Sequence, residues 1–207
     1  MSLRVLETLK EKFGDAIVET HSDFGDETAV VHPEKWKEVC RFLRDDPAMA
    51  FDMLVDLCGV DYPDRTPRFE VVLHLYSVPK RHRVRLKSRV GDAEGDSVQI
   101  DTVTDVWMGA NWFEREAYDL MGISFKGHPD LRRILMYPEF EGHPLRKDYP
   151  ANKAQPLVPY RTEEEAGLPL NKQPPFGLDE GMPFGRKDWG PTSAWGRDKA
   201  GTDRGES

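Results

Sequence analysis

Two consecutive stretches, "RFEVVLHLYSV" (68–78) and "RHRVRLKSRV" (81–90), restrict the folds open to this chain more than anything else in it. The first is apolar on both faces, as expected of a central strand covered on both sides. The second alternates. Val84, Leu86 and Val90 point one way, and Arg81, Arg83, Arg85, Lys87 and Arg89 point the other. That is a half-buried strand with a basic outer face. A turn this short between them asks for antiparallel pairing.

The flanking segments add further strands and helices. Leu6, Leu9 and Phe13 recur at helical spacing, and Gly14 follows as a stop. "DAIVET" and "ETAVVH" read as two short strands joined around Gly25-Asp26. "PEKWKEVCRFLRDDP" predicts a helix with Pro33 in its first turn and one apolar stripe of Trp36, Val39, Cys40 and Leu43. "FDMLVDLCGVDYP" is an apolar strand that turns at Asp61–Pro67. "GDAEGD" is a hairpin turn into a last strand, "SVQIDTV". "TDVWMGANWFEREAYDLMG" returns to helical period, with Val106, Ala110, Phe113, Ala117 and Leu120 on one face and Gly122 as the residue that ends it. Trp107 and Tyr118 fall off that stripe. The expected fold is α+β: a two-layer sandwich of a mostly antiparallel sheet with helices on one face, over residues 1–150.

From Ala151 the composition changes. Residues 151–207 hold 7 Pro and 8 Gly and no sustained period. Tyr160, Phe176, Phe184, Trp189 and Trp195 are spread along them, whereas disordered tails are poor in aromatics. This reads as an extended C-terminal arm that docks on neighbouring chains by inserting side chains.

Several function classes are disfavoured. The formal charge of −8 and a pI near 5.3 argue against a general nucleic-acid binder. The basic strand is the best case for one, but it has no aromatics between its cations on which bases would stack. A solvated edge or an acidic protein partner is the better reading of that face. No apolar run approaches the ~20 residues of a membrane helix, and no secretory signal is expected. Cys40 and Cys58 sit inside apolar patterns as free thiols, which fits a cytoplasmic protein. Neither GxGxxG nor GxxxxGK[ST] nor GxSxG occurs, so no catalytic residue and no cofactor or metal ligand is assigned in this chain.

The stretch "FKGHPDLRRILMYPEFEGHPLRKDYP" (125–150) carries the tripeptide Gly-His-Pro twice. No HExxH or CxxC surrounds His128 and His143, so a local turn with a hydrogen-bonded imidazole fits better than a metal site. From Glu114 to Pro150 six basic residues face seven acidic ones. A phosphate site would be one-sided. Apolar residues (Ile123, Phe125, Leu131, Ile134, Leu135, Met136, Phe140, Leu145) are threaded through the charges. Glu114, Glu116 and Asp119 read as a charged helix face that pairs with nearby cations. The mixture predicts a rigid surface stitched by ion pairs, with arginine forks holding carboxylates.

"NWFEREAYDLMGISFKGHPDLRRIL" with "FEGHPLRKDYP", and "LVDLCGVDYPDRTPRFEVVLHLYSV" upstream, resembles the C-type subunit of NADH–quinone oxidoreductase, the 30 kDa subunit family of respiratory complex I. The resemblance covers Met53 to Pro150. Where the family usually has Tyr-Gly-Phe before the second Gly-His-Pro, this chain has "YPEF". The resemblance implies a component of the peripheral arm, on the cytoplasmic face of the bacterial inner membrane and bound to the membrane only through the complex. It implies a neighbour, the D-type subunit, that helps form the quinone site. It implies FMN and iron–sulfur clusters in partner subunits and none in this chain. Expected subunit-interface residues are Glu114, Glu116, Arg132, Arg133, His143, Arg146 and Asp148. The same family also serves related membrane hydrogenases and ferredoxin-linked complexes. A stand-alone nucleic-acid module using strand 81–89 is the remaining alternative.

Overall fold

The strongest amphipathic segment sets the first layer. Pro33–Lys35 form a 3-10 turn, and the chain continues as a helix over Trp36–Asp45, burying Trp36, Val39, Cys40 and Leu43 on one stripe. It is the second long helix (α2); the first (α1) spans Leu3–Phe13 and stops at Gly14, which takes a positive φ of 46°. The computed structural model describes residues 3–91 and 98–156. The expected turn at 92–96 and the expected arm beyond Pro156 lie outside the described residues.

Under these helices lies a five-stranded sheet. Its strands are β1 (Ile17–Asp23), β2 (Asp26–Val31), β3 (Met53–Asp61), β4 (Phe69–Ser77) and β5 (His82–Val90), in the order β1-β2-β5-β4-β3. The pairs β1–β2, β3–β4 and β4–β5 are antiparallel and β2–β5 is parallel. The sheet is therefore mixed but mostly antiparallel, as expected. Ala29, Val31, Leu57, Val71, Leu73, Leu75, Val84 and Leu86 join Leu9, Trp36, Val39, Leu43 and Phe51 in one core. Each fully buried large side chain of this kind contributes about 1.5–3 kcal/mol.

Two expectations need correction. The basic strand is not a solvated edge: β5 lies in the middle of the sheet. Three of its outward cations, Arg85, Lys87 and Arg89, are used inside the chain. Lys87 meets Glu70 at 2.9 Å, Arg89 meets Glu19 at 2.9 Å, and Arg85 Nε donates to Thr28 Oγ1 at 3.0 Å. The second correction concerns "SVQIDTV". Its strand, β6 (Gln99–Asp101), does not extend the main sheet. It pairs in parallel with β7 (Ser124–Lys126), on the far side of the third long helix, α3 (Ala110–Met121).

Helix α3 meets edge strand β3 at Gly59. A Cβ there would stand 2.6 Å from Ile123 Cδ1 and 3.3 Å from Met121 Cγ. The missing side chain is what allows helix and strand to approach. Trp107, left off the helical stripe in the sequence, is buried, and its Nε1 donates to the Phe51 carbonyl at 3.1 Å. Gly59→Val should overpack this crossing and cost about 1–3 kcal/mol, read as a lower melting temperature of the full chain with the secondary-structure spectrum retained.

Candidate subunit interface

Residues 127–150 contain no helix and no strand. What fixes them is their hydrogen bonding to α3. The last carbonyls of any helix lack intrahelical partners. Here Gly122 ends the helix in the left-handed region at φ 76°, and its N–H bonds the Tyr118 carbonyl at 2.9 Å. The next three carbonyls are taken by the later segment. His143 Nδ1 donates to Asp119 O at 2.9 Å, the Leu145 N–H to Leu120 O at 3.0 Å, and Arg146 Nε to Met121 O at 2.7 Å. A Cβ at Gly122 would come within 2.7 Å of His143 Nε2 and would collide with the Arg146 guanidinium. Glycine is thus required both for its φ and for the space.

The Asp119 side chain is fully buried. Its Oδ2 accepts the backbone N–H groups of Ile134, Leu135 and Met136 at 3.0, 2.7 and 2.8 Å, and its Oδ1 accepts Arg133 Nη1 at 2.8 Å. Burial alone would push this carboxyl up. The N–H of Met136, the Arg133 guanidinium and the other two N–H groups outweigh it and hold the group below the usual carboxylate range. Arg133 also donates from Nη2 to the Gly142 carbonyl at 3.1 Å. Arg115, from the middle of α3, reaches the Arg132 carbonyl at 3.2 Å and lies over the Trp112 ring.

A second buried carboxylate anchors the far end. Asp61, at the end of β3, takes a two-pronged contact from Arg68 at 2.6 and 2.7 Å, and the Lys147 N–H at 2.8 Å. The Arg68 guanidinium holds its carboxyl below the ordinary range against the opposing effect of burial. Arg68 continues to Asp148 at 3.0 Å.

The two Gly-His-Pro turns brace α3 at its two ends. Gly127 and Gly142 both carry positive φ, of 83° and 92°. The Asp130 N–H donates to His128 Nδ1 at 3.0 Å, which leaves the proton on Nε2, 3.4 Å from the Asn111 carbonyl in the first turn of α3. His143 does the same at the last turn. Burial lowers the pKa of both imidazoles. No group of three or more His, Cys, Asp or Glu side chains suited to a metal ion occurs among the described residues.

Glu114 differs from the charged helix face read in the sequence. It is fully buried, with Thr102 Oγ1 donating at 2.5 Å and the Val103 N–H at 2.7 Å. Burial raises its carboxyl to about 7, against the opposing pull of those two donors. Of the expected interface residues, Glu114 therefore has no surface to offer. Arg133, His143 and Arg146 are half-buried and spent on α3, and Asp148 is exposed but paired with Arg68. Glu116 and Arg132 stand at the surface, the latter beside Asp130 at 2.9 Å. Met108, Trp112, Leu135 and Leu145 also expose most or about half of their area. Sequence reasoning missed Asp61 and Arg68; for Asp119 it anticipated the pairing with a nearby cation, here Arg133, but not the burial. A usable signal existed for Glu114, which sits four residues after Ala110 and three before Ala117 on the buried stripe.

Residues 29–155 match the model of the family described as the respiratory-chain NADH dehydrogenase 30 kDa subunit. The chain belongs to that family. Among similar proteins, the C 2 subunit of NADH-quinone oxidoreductase from Rhizobium etli is 53% identical over 142 residues, covering 69% of this chain and 74% of that one. The C-type subunit of NADH-quinone oxidoreductase from Geobacter sulfurreducens is 49% identical over 148 residues, covering 71% and 88%. The solved trypsin-resistant fragment (1–134) of Nqo5 superposes with a TM-score of 0.52 at 35% identity, covering 62% of this chain and 99% of the fragment. A chain in the structure of the membrane-bound sulfane sulfur reductase, an archaeal respiratory membrane complex, has a TM-score of 0.61 at 24% identity, covering 72% and 86%, and so shares the fold. The family match spans the segments from β3 to Pro150 and extends upstream into β2.

Two expected outcomes test this geometry. The Glu114 carboxyl is raised in the folded chain from an ordinary 4.5, so the native state binds this proton more tightly than the unfolded state. Its contribution is present below about 4.5 and is lost as pH rises through about 7. Denaturant melts of Glu114→Gln across that window should therefore show a flatter dependence on pH than the parent chain. Asp119→Asn leaves Arg133 without its charge partner and turns an amide toward three N–H groups. It should cost about 3 kcal/mol in the same melts.

Proposed function

We propose that this chain is a structural, non-catalytic component of the peripheral arm of a proton-pumping NADH:quinone oxidoreductase. Its role is to hold a rigid face against neighbouring subunits while electrons pass from NADH through FMN and iron–sulfur clusters in those subunits to quinone. The observation that carries this reading is the 53% identity, over most of both chains, to a protein named as a C-type subunit of that enzyme. The chief partner in this reading is the D-type neighbour at the quinone site. The complex sits on the cytoplasmic face of a bacterial inner membrane, with this chain attached through its partners. In keeping with that, no helix among the described residues is long and apolar enough to cross a membrane.

The geometry supports a scaffold. Arginines 68, 115, 133 and 146 are engaged within the chain, on carboxylates or on backbone carbonyls of α3 and the segment after it. The nucleic-acid reading loses its main support, because Arg85, Lys87 and Arg89 of β5 have partners inside the chain. Membership of a hydrogenase-like or ferredoxin-linked relative is separated by composition of the assembly rather than by this chain.

A tagged copy recovered from mildly solubilised native membranes should bring down a large assembly containing iron and flavin that oxidises NADH with a quinone acceptor. Iron without flavin or NADH oxidation would assign the chain to a related complex, and a lone chain would refute the subunit reading. Arg132→Glu, an exposed change that leaves the Arg132 carbonyl in place for Arg115, should lower recovery of the assembly about tenfold at moderate salt while the melting temperature of the free chain is unchanged.

A further inference from the structure

In this region most carboxylates have a cation assigned to them: Asp61 and Asp148 share Arg68, Asp119 holds Arg133, and Asp130 has Arg132. Among those that do not are Asp56 on β3 and Glu116 on α3, which have no salt-bridge partner among the described residues. They stand on opposite walls of one groove of about 170 Å³ between the edge strand and the helix, whose apolar lining includes Leu120, Met121 and Leu145. The Cys58 thiol lies in the same groove. Burial raises its pKa, and the negative charges of Asp56 and Glu116 raise it further, so both carboxylates act on one point from two elements. The groove does not form part of a metal-binding group. Leu145 on its rim is a large apolar side chain left 51% exposed among the described residues.

We propose that this groove receives one basic side chain, a lysine or arginine carried on an apolar segment of a neighbouring subunit, with Asp56 and Glu116 as its paired acceptors. The proposal rests on the subunit reading above and narrows it to one contact. A long cationic side chain has the shape the groove needs: its methylene stem lies along Leu120, Met121 and Leu145, and its charged head sits between two acceptors. Two carboxylates around one cation, in a partly desolvated groove, favour a basic partner and repel an acidic one.

The test uses the full chain in its native assembly and the same chain released from it. N-Ethylmaleimide labelling of Cys58, with the fully buried Cys40 as internal reference, should be at least about tenfold slower in the assembly than in the released chain. Glu116→Lys, and separately Asp56→Asn with Glu116→Gln, should leave the melting temperature of the released chain unchanged. Each should let the chain dissociate from the assembly at about tenfold greater extent at moderate salt. An assembly that forms normally but labels Cys58 as fast as the released chain does would overturn this inference alone. So would protection of Cys58 together with full retention of both charge variants. A wild-type chain that recovers no partner at all would overturn the subunit reading, and this inference with it.

Discussion

The rest of the structure depends on one buried carboxylate. Asp119 sits inside the protein at the last turn of α3, where water cannot solvate its charge. Such a charge is tolerated only when donors surround it. The chain supplies four, three of them consecutive backbone N–H groups. Consecutive N–H groups converge on one oxygen only if the backbone curls around it, so the path of residues 133–136 is set by the position of Asp119. Arg133 then reaches Gly142, His143 reaches back to the Asp119 carbonyl, and Arg146 reaches Met121. The last two links satisfy carbonyls that helix geometry left open.

This arrangement explains how a stretch without helix or strand can be as well defined as a core. It also explains the surface. The arginines are drawn inward toward carboxylates and carbonyls, and the apolar side chains that a core would normally claim are left outside: Met108, Trp112, Leu135 and Leu145. A monomer gains little from such a surface, whereas a component of a larger assembly uses it. Charge on the inside and apolar contact on the outside is the reverse of an ordinary loop, and it fits a face that is rigid before a partner arrives.

Much of the frame was readable from residues alone. The alternation at 81–90 identified β5, and the stripe of Trp36, Val39, Cys40 and Leu43 identified α2, because in each case a single period ran through the whole element. Topology was less legible. The parallel joint between β2 and β5 depends on a crossover through α2 and two further strands, and no local pattern encodes it. Three-residue strands such as β6 and β7 are too short to show a period, and their pairing across α3 is non-local. The charged residues were the hardest. Glu114, Glu116 and Asp119 look alike on a helical wheel, yet two are fully buried and one is exposed. What separates them is which donors other parts of the chain bring, from before α3 for Glu114 and after it for Asp119, and those donors are mostly backbone N–H groups, which every residue except proline carries.

The most direct measurement is native-state hydrogen exchange at the amides of Ile134, Leu135 and Met136 in the full chain. If Asp119 organises this surface, these amides exchange about as slowly as those in the middle of α3, although they belong to no regular element. Exchange at the rate of an open loop in the unmodified chain would contradict the account, because the Asp119 carboxylate would then be without the donors that its burial requires.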